Sequence, residues 1–178
     1  FSLNKDADWT AITVVGVDFE GNYYVLDIDR FKSDRVKEYY DHIARLHSTW
    51  RFSKLRAEVT VAQIVIVNGI KDYIKKNGLS LPVEEYRPSS KEGSKEDRMK
   101  AVLEPLYDNL QMWNREGGWT MDLEEELVQA RPSHDDIKDS LASAISIAVK
   151  PKQSIKSKME DFINKPNKTS RFGGVAFR

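Results

Sequence analysis

The 178 residues carry 28 lysines and arginines against 28 aspartates and glutamates, so the net charge is zero and a generally sticky cationic protein is excluded. Hydrophobic residues at 40% and charged residues at 31% read as soluble and globular, with chain enough for one domain and a real core. The absence of cysteine excludes thiolate zinc sites, disulfides and cysteine nucleophiles. No apolar run approaches the roughly 18 residues that cross a bilayer, and no signal-peptide pattern is visible.

In chain order, "TAITVVGVDFEGNYYVLDIDRF" predicts two strands, 10–18 and 22–29, joined by a turn at Glu20-Gly21-Asn22. Ser33 to Trp50 is helical by its spacing of Val36, Tyr39, Tyr40, Ile43 and Leu46. "KLRAEVT", 54–60, is a short strand. "VAQIVIVNGIKDYIKKNG", 61–78, reads as a helix with Lys75 and Lys76 in its last turn and Gly78 at its C-terminal cap. "LPVEEYRP" is a strand closed by Pro88. Ser94 with Asp97 makes a capping box that opens a helix running to about Trp113, with a kink expected at Pro105. Asp122 to Ala130 is a short acidic helix. Ser133 caps a final helix to about Val149, ended by Pro151. The order β-β-α-β-α-β-α-α-α predicts an α/β fold, a mixed sheet flanked by helices.

The neutral total hides a split. Residues 150–178 carry a charge of +6 and residues 1–149 carry −6. An acidic body with a basic tail suggests a nucleic-acid or partner contact. The tail has little core-forming pattern and reads as loosely ordered.

The chemistry lies in the carboxylates. "RPSHDDIKDSLASAI" puts Asp135 and Asp136 side by side at a helix start, with Asp139 one turn on. A helix N-terminus favours negative charge, so the plain reading is a solvated acidic first turn. Three acids on one turn nevertheless ask for a positive partner. Glu58 stands in an apolar strand, "LRAEVT", either facing solvent or paired with a cation. Asp6 and Asp8 precede the first strand and suit a turn. If these segments converge they form an all-oxygen cluster of the kind Mg²⁺ and Mn²⁺ prefer. Two such ions about 4 Å apart can clamp a phosphodiester. No histidine pair at i, i+4 and no glycine-rich phosphate loop offers a rival.

Four segments in this order resemble the nuclease domain of the large terminase subunit of tailed bacteriophages: "KDADWTAITVVGVDFEGNYYVLD", "AEVTVAQ", "SKEDRMKAVLEPLYDNLQMW" and "ELVQARPSHDDIKDSLASAI". The resemblance implies a ribonuclease H-like fold over residues 1–149 and a basic tail at 150–178. It implies cleavage of concatemeric double-stranded DNA with two Mg²⁺ or Mn²⁺ ions during genome packaging, in the host cell cytoplasm. The implied partners are the terminase ATPase domain, the small terminase subunit and the portal protein, with no membrane. Glu58 matches the second catalytic acid. Asp135 and Asp136 match the third, with Asp136 favoured as the direct ligand. Asp8 matches an acidic loop position that would join the metal site, and Lys95 and Arg98 match basic positions near the DNA backbone. The family's first catalytic aspartate lies on a central strand upstream of the position of Phe1, so this chain reads as an N-terminally truncated piece.

Two other readings remain. Another ribonuclease H-like nuclease, of the resolvase or integrase type, would share the acids. A non-catalytic docking module of the packaging motor would need none of them to hold metal.

Overall fold

In the computed structural model, residues 9–59, 63–129 and 132–152 are described. The hairpin forms as its pattern predicts. Strand β1 (Thr10–Val17) pairs antiparallel with β2 (Tyr23–Phe31), Thr10 opposite Phe31, with a bulge between Val14 and Val15. Asp18 closes the turn. Its Oδ1 accepts the backbone N–H groups of Glu20, Gly21 and Asn22 at 2.9, 2.8 and 2.9 Å. The Asn22 side-chain amide, then these amides, hold the Asp18 carboxyl well below the usual range. Gly21 has φ +98°, a conformation that side chains with a Cβ rarely adopt.

Helix α1 (Val36–Trp50) follows, then β3 (Leu55–Glu58) and α2 (Ile64–Lys76). At the end of α2 the Gly78 N–H donates to Lys75 O and the Leu79 N–H to Ile74 O, both across Gly78 at φ +67°. That is a Schellman motif, and Leu79 packs into the same core as Ile74. α1 and α2 touch at Gly69, where an added Cβ would lie 2.8 Å from Val36 Cγ1. Only a residue without a side chain allows that approach.

β4 (Val83–Tyr86) pairs parallel with β3. Helix α3 (Lys95–Asp108) opens on the expected capping box: the Asp97 N–H donates to Ser94 Oγ, and the Ser94 N–H to Asp97 Oδ2, each at 3.1 Å. The helix runs through Pro105 but stops at Asp108, short of Trp113. Leu110, at φ 55°, breaks the helical path, and Met112–Asn114 form strand β5, parallel to β2. α4 (Thr120–Val128) and α5 (Asp136–Ile147) complete the chain.

The strands form two units, a mixed three-stranded sheet in the order β1-β2-β5 and a parallel pair β3-β4. Alternation along β1 sends Ile12 and Val14 into one core with Ile43, Leu46 and Ile70 of α1 and α2. Ala11 and Val15 face the other core, built by Val25 and Ile28 with Met99, Leu103, Leu123, Ile137 and Leu141 of α3, α4 and α5. The fold is therefore α/β, with helices on both faces of a mixed sheet. Burying one such leucine or isoleucine contributes about 1.5–3 kcal/mol. Among the described residues no helix is long and apolar enough to cross a membrane. The looseness expected of the tail falls on residues 153–178, which lie outside the described residues.

Candidate functional site

Two elements converge at one end of the sheet. Glu58 closes β3, beside buried Ala57 and Val59, and is itself half-buried. α5 brings Asp135, Asp136 and Asp139. Glu58, Asp136 and Asp139 border one cleft of about 740 Å³, together with Ser140, Ser143 and Ala144. Asp136, Asp139, Ser140 and Ser143 recur at helical spacing, so α5 turns a polar stripe toward the cleft and its Ile137-Leu141-Ile145 stripe toward the core. Asp135 stands at the N-cap position and does not border the cleft. Asp8 lies outside the described residues.

Ser133 does not cap α5. The cap comes from α4, where Glu126, 4% exposed, accepts the Lys138 N–H at 2.8 Å. A carboxylate from a neighbouring helix thus satisfies the first-turn donors, a long-range solution that local spacing does not reveal. Burial raises the Glu126 carboxyl above its usual value, against the opposing pull of that amide and of Arg30.

The positive partner that the acids require is protein. Lys95 Nζ lies 2.9 Å from Asp135 Oδ1 and 3.4 Å from Asp139 Oδ2. Arg98 Nη2 lies 3.8 Å from Glu58 Oε1. Lys95 and Arg98 sit one turn apart on α3 and share a face, which is why both reach the acids. Arg30 of β2, its side chain only 7% exposed, lies 3.4 Å from Asp136 Oδ2 and 3.9 Å from Asp122 Oδ1. The rings of Trp9 and Trp119 flank its guanidinium at 5.0 and 5.9 Å.

Compensation is incomplete. Burial, then the charge of Asp139, raises the Glu58 carboxyl despite Arg98 and Lys95. Burial likewise raises Asp139 against the pull of Lys95. Burial depresses Lys95, but Asp135 and Asp139 outweigh it and keep its ammonium protonated above the usual range. Five carboxylates, Asp122 among them, share three cations, and burial makes ionisation costly at Glu58 and Asp139.

The donor chemistry, carboxylate oxygen alone, suits a hard divalent ion. The count does not complete a site: no group of three or more metal-ligating side chains converges among the described residues. Glu58 and Asp136 thus lie along a common cleft as the sequence suggests, while Lys95 and Arg98 turn inward to the acids. The sequence counts Asp139 among the three acids at the start of α5 without giving it a ligand role, and it does not single out Arg30 or Glu126. The signal for Asp139 was the polar spacing Asp136, Asp139, Ser140, Ser143; Arg30 gave none. No family model, no curated protein and no solved structure matches this chain.

Proposed function

We propose that this chain is the nuclease domain of a phage large terminase, of the ribonuclease H-like class, cutting concatemeric double-stranded DNA during packaging. In this reading it works in the host cell cytoplasm, beside the terminase ATPase domain, the small terminase subunit and the portal protein. The observation that carries the reading is that Glu58, Asp136 and Asp139 border one cleft, where burial first and a neighbouring carboxylate raise the Glu58 and Asp139 carboxyls above their ordinary values. Such a cluster attracts a divalent cation, and Mg²⁺ or Mn²⁺ at this place would supply Lewis-acid polarisation of a phosphodiester. A two-ion site needs a further carboxylate beyond those described, as the upstream aspartate implied by the resemblance would provide.

The chain's own residues have separable tasks. Glu58 and Asp136 present oxygens from a strand end and a helix start. Arg30, packed against the adjoining rings of Trp9 and Trp119, pairs with Asp136 at the cleft. Lys95 and Arg98 neutralise the acids in the resting state and, in this reading, exchange those carboxylates for phosphate when DNA arrives.

The test is Mn²⁺ titration followed by electron paramagnetic resonance, with nicking of supercoiled plasmid as the second readout. The expected result is binding that weakens in Glu58→Gln and Asp136→Asn. A folded chain that binds no Mn²⁺ and cuts no plasmid refutes the metal reading. It would favour the docking-module reading, which the ion pairs of Lys95, Arg98 and Arg30 with the acids support.

A further inference from the structure

We infer that Glu126 is a positioning residue for the acid cluster: by capping α5 from α4, it keeps the Asp135 and Asp136 carboxylates from being taken up at the helix's own N-terminus. Its functional weight rests on the reading above, whereas the capping stands on geometry alone.

The first-turn amides of a helix need acceptors, and the sequence around α5 offers two local ones. Ser133-His134-Asp135-Asp136 has the spacing of a capping box with aspartate in the fourth place. The same spacing, Ser94-Lys95-Glu96-Asp97, forms that box at α3. There Asp97 Oδ2 accepts the Ser94 N–H at 3.1 Å and the Ser94 hydroxyl at 2.6 Å, so the aspartate is taken up by its own helix. At α5 the same chemistry would turn the Asp136 carboxylate back to the Ser133 N–H. The second local acceptor is Asp135. It occupies the N-cap position, where an aspartate ordinarily accepts the amide two or three residues on.

Neither is used. Ser133 stays exposed, and the Asp135 side chain makes no capping bond. α5 starts at Asp136, and Glu126 Oε2 takes the Lys138 N–H at 2.8 Å, a donor that Asp135 would otherwise answer. Asp135 is thereby left to meet Lys95 at 2.9 Å. Asp136 is left to border the cleft and meet Arg30 at 3.4 Å.

Packing explains why the distant acceptor wins. Leu123, one turn before Glu126 on α4, is wholly buried in the same core as Ile137 and Leu141 of α5. Docking of α4 on α5 therefore delivers the Glu126 carboxylate to the amides with its backbone already ordered. Ser133 lies in a loop that would have to be ordered to do the same. Glu126 is 4% exposed, and a carboxylate so buried is costly without a hydrogen bond. Its Oε1 has no hydrogen-bond partner among the described residues, so the α5 amides are the bonds that hold it.

The test reads hydrogen exchange at the Asp136 amide by NMR, without metal. In Glu126→Leu the local box forms, Ser133 Oγ takes that amide, and exchange slows at least about tenfold. Adding Ser133→Ala restores the fast rate. Glu126→Gln keeps an acceptor oxygen and leaves the rate as in the unmodified chain. An unchanged rate in Glu126→Leu, or the same slowing in Glu126→Gln, overturns the inference. Should Glu126→Leu fail to fold, two single changes decide. Ser94→Ala lowers Tm because its box exists, and Ser133→Ala leaves Tm unchanged; equal losses overturn the inference. Mn²⁺ affinity, by electron paramagnetic resonance, falls at least about tenfold in Glu126→Leu and recovers with Ser133→Ala. A fall that Ser133→Ala does not reverse overturns the positioning. An unmodified chain that binds no Mn²⁺ sinks the metal reading instead, and the Asp136 amide still decides this one.

Discussion

Two clusters of charge sit on β2 and its neighbours, and they are built to opposite ends. At the first, Asp29 is 8% exposed and is met by His42 Nδ1 at 2.6 Å and by the Arg45 guanidinium. Phe31 stacks on the His42 ring at 3.7 Å. One carboxylate has two partners and is fully answered. At the second, Glu58, Asp135, Asp136 and Asp139 divide Lys95, Arg98 and Arg30 among them. A cluster with more partners than charge is a joint between elements. A cluster with more carboxylates than cations holds its charge at a cost, and burial raises two of its carboxyls.

The sharpest way to break this contrast is to remove an acid from each cluster. If the second cluster holds metal for cleavage, Glu58→Gln or Asp136→Asn lowers Mn²⁺-dependent plasmid nicking at least about 100-fold, while Asp29→Asn leaves it unchanged in the fraction that stays folded. Stability reverses the order. Asp29→Ala strands its two partners and costs about 1–3 kcal/mol, read by urea unfolding. Asp136→Asn and Asp139→Asn leave unfolding without metal unchanged or shifted slightly toward the folded state, because each relieves like-charge repulsion. A large loss in either would make that aspartate a joint as well.

Lys95→Gln sharpens the comparison from the cationic side. It unmakes pairs with Asp135 and Asp139 that are partly open to water, so the stability loss stays within about 1 kcal/mol. Mn²⁺ affinity, measured calorimetrically, rises severalfold once the competing ammonium is gone. Unchanged affinity would place any bound ion elsewhere.

The smallest effect is in pH. The Glu58 and Asp139 carboxyls are raised above their ordinary values, burial first. Between those ordinary values and the raised ones the folded chain holds protons that the unfolded chain has released. Stability therefore falls as pH rises through that window. Asp139→Asn removes one such group and lessens the pressure on the other. Relative to the unmodified chain, its Tm gains as pH rises from about 4 to 7, by no more than about 2–4 °C, the shift that 1 kcal/mol gives in a chain this size.

What the sequence disclosed was local. The Glu20-Gly21-Asn22 turn, the Ser94–Asp97 box and the Gly78 cap each rest on residues within five positions of one another, and all three form, the turn closed by an Asp18 that the sequence assigns to the strand. The alternation along β1 and the apolar stripe of α5 likewise follow from the periods of strand and helix. What it concealed was long-range. Met112 and Trp113 continue an apolar helical spacing past Asp108, and only pairing with β2, some ninety residues earlier in the chain, makes them a strand. Ser133 has the chemistry of a cap, but Glu126 reaches the α5 amides from a separate helix. Of the site, Glu58 and the α5 acids were legible as carboxylates in costly places. That Lys95 would lie among those acids could not be read, because ion pairing between α3 and α5 is set by how the helices pack.

The indoles of Trp9 and Trp119, which hold Arg30 beside Asp136, also give the acid cluster an optical voice. Indole emission moves with the electric field across the ring, and a cation settling against Asp136 changes the field that Arg30 and the acids impose there. Replacing Trp50 and Trp113 by phenylalanine leaves these two rings as the only indole emitters in the chain. Their colour would then follow the charge state of the cleft continuously, without label or substrate.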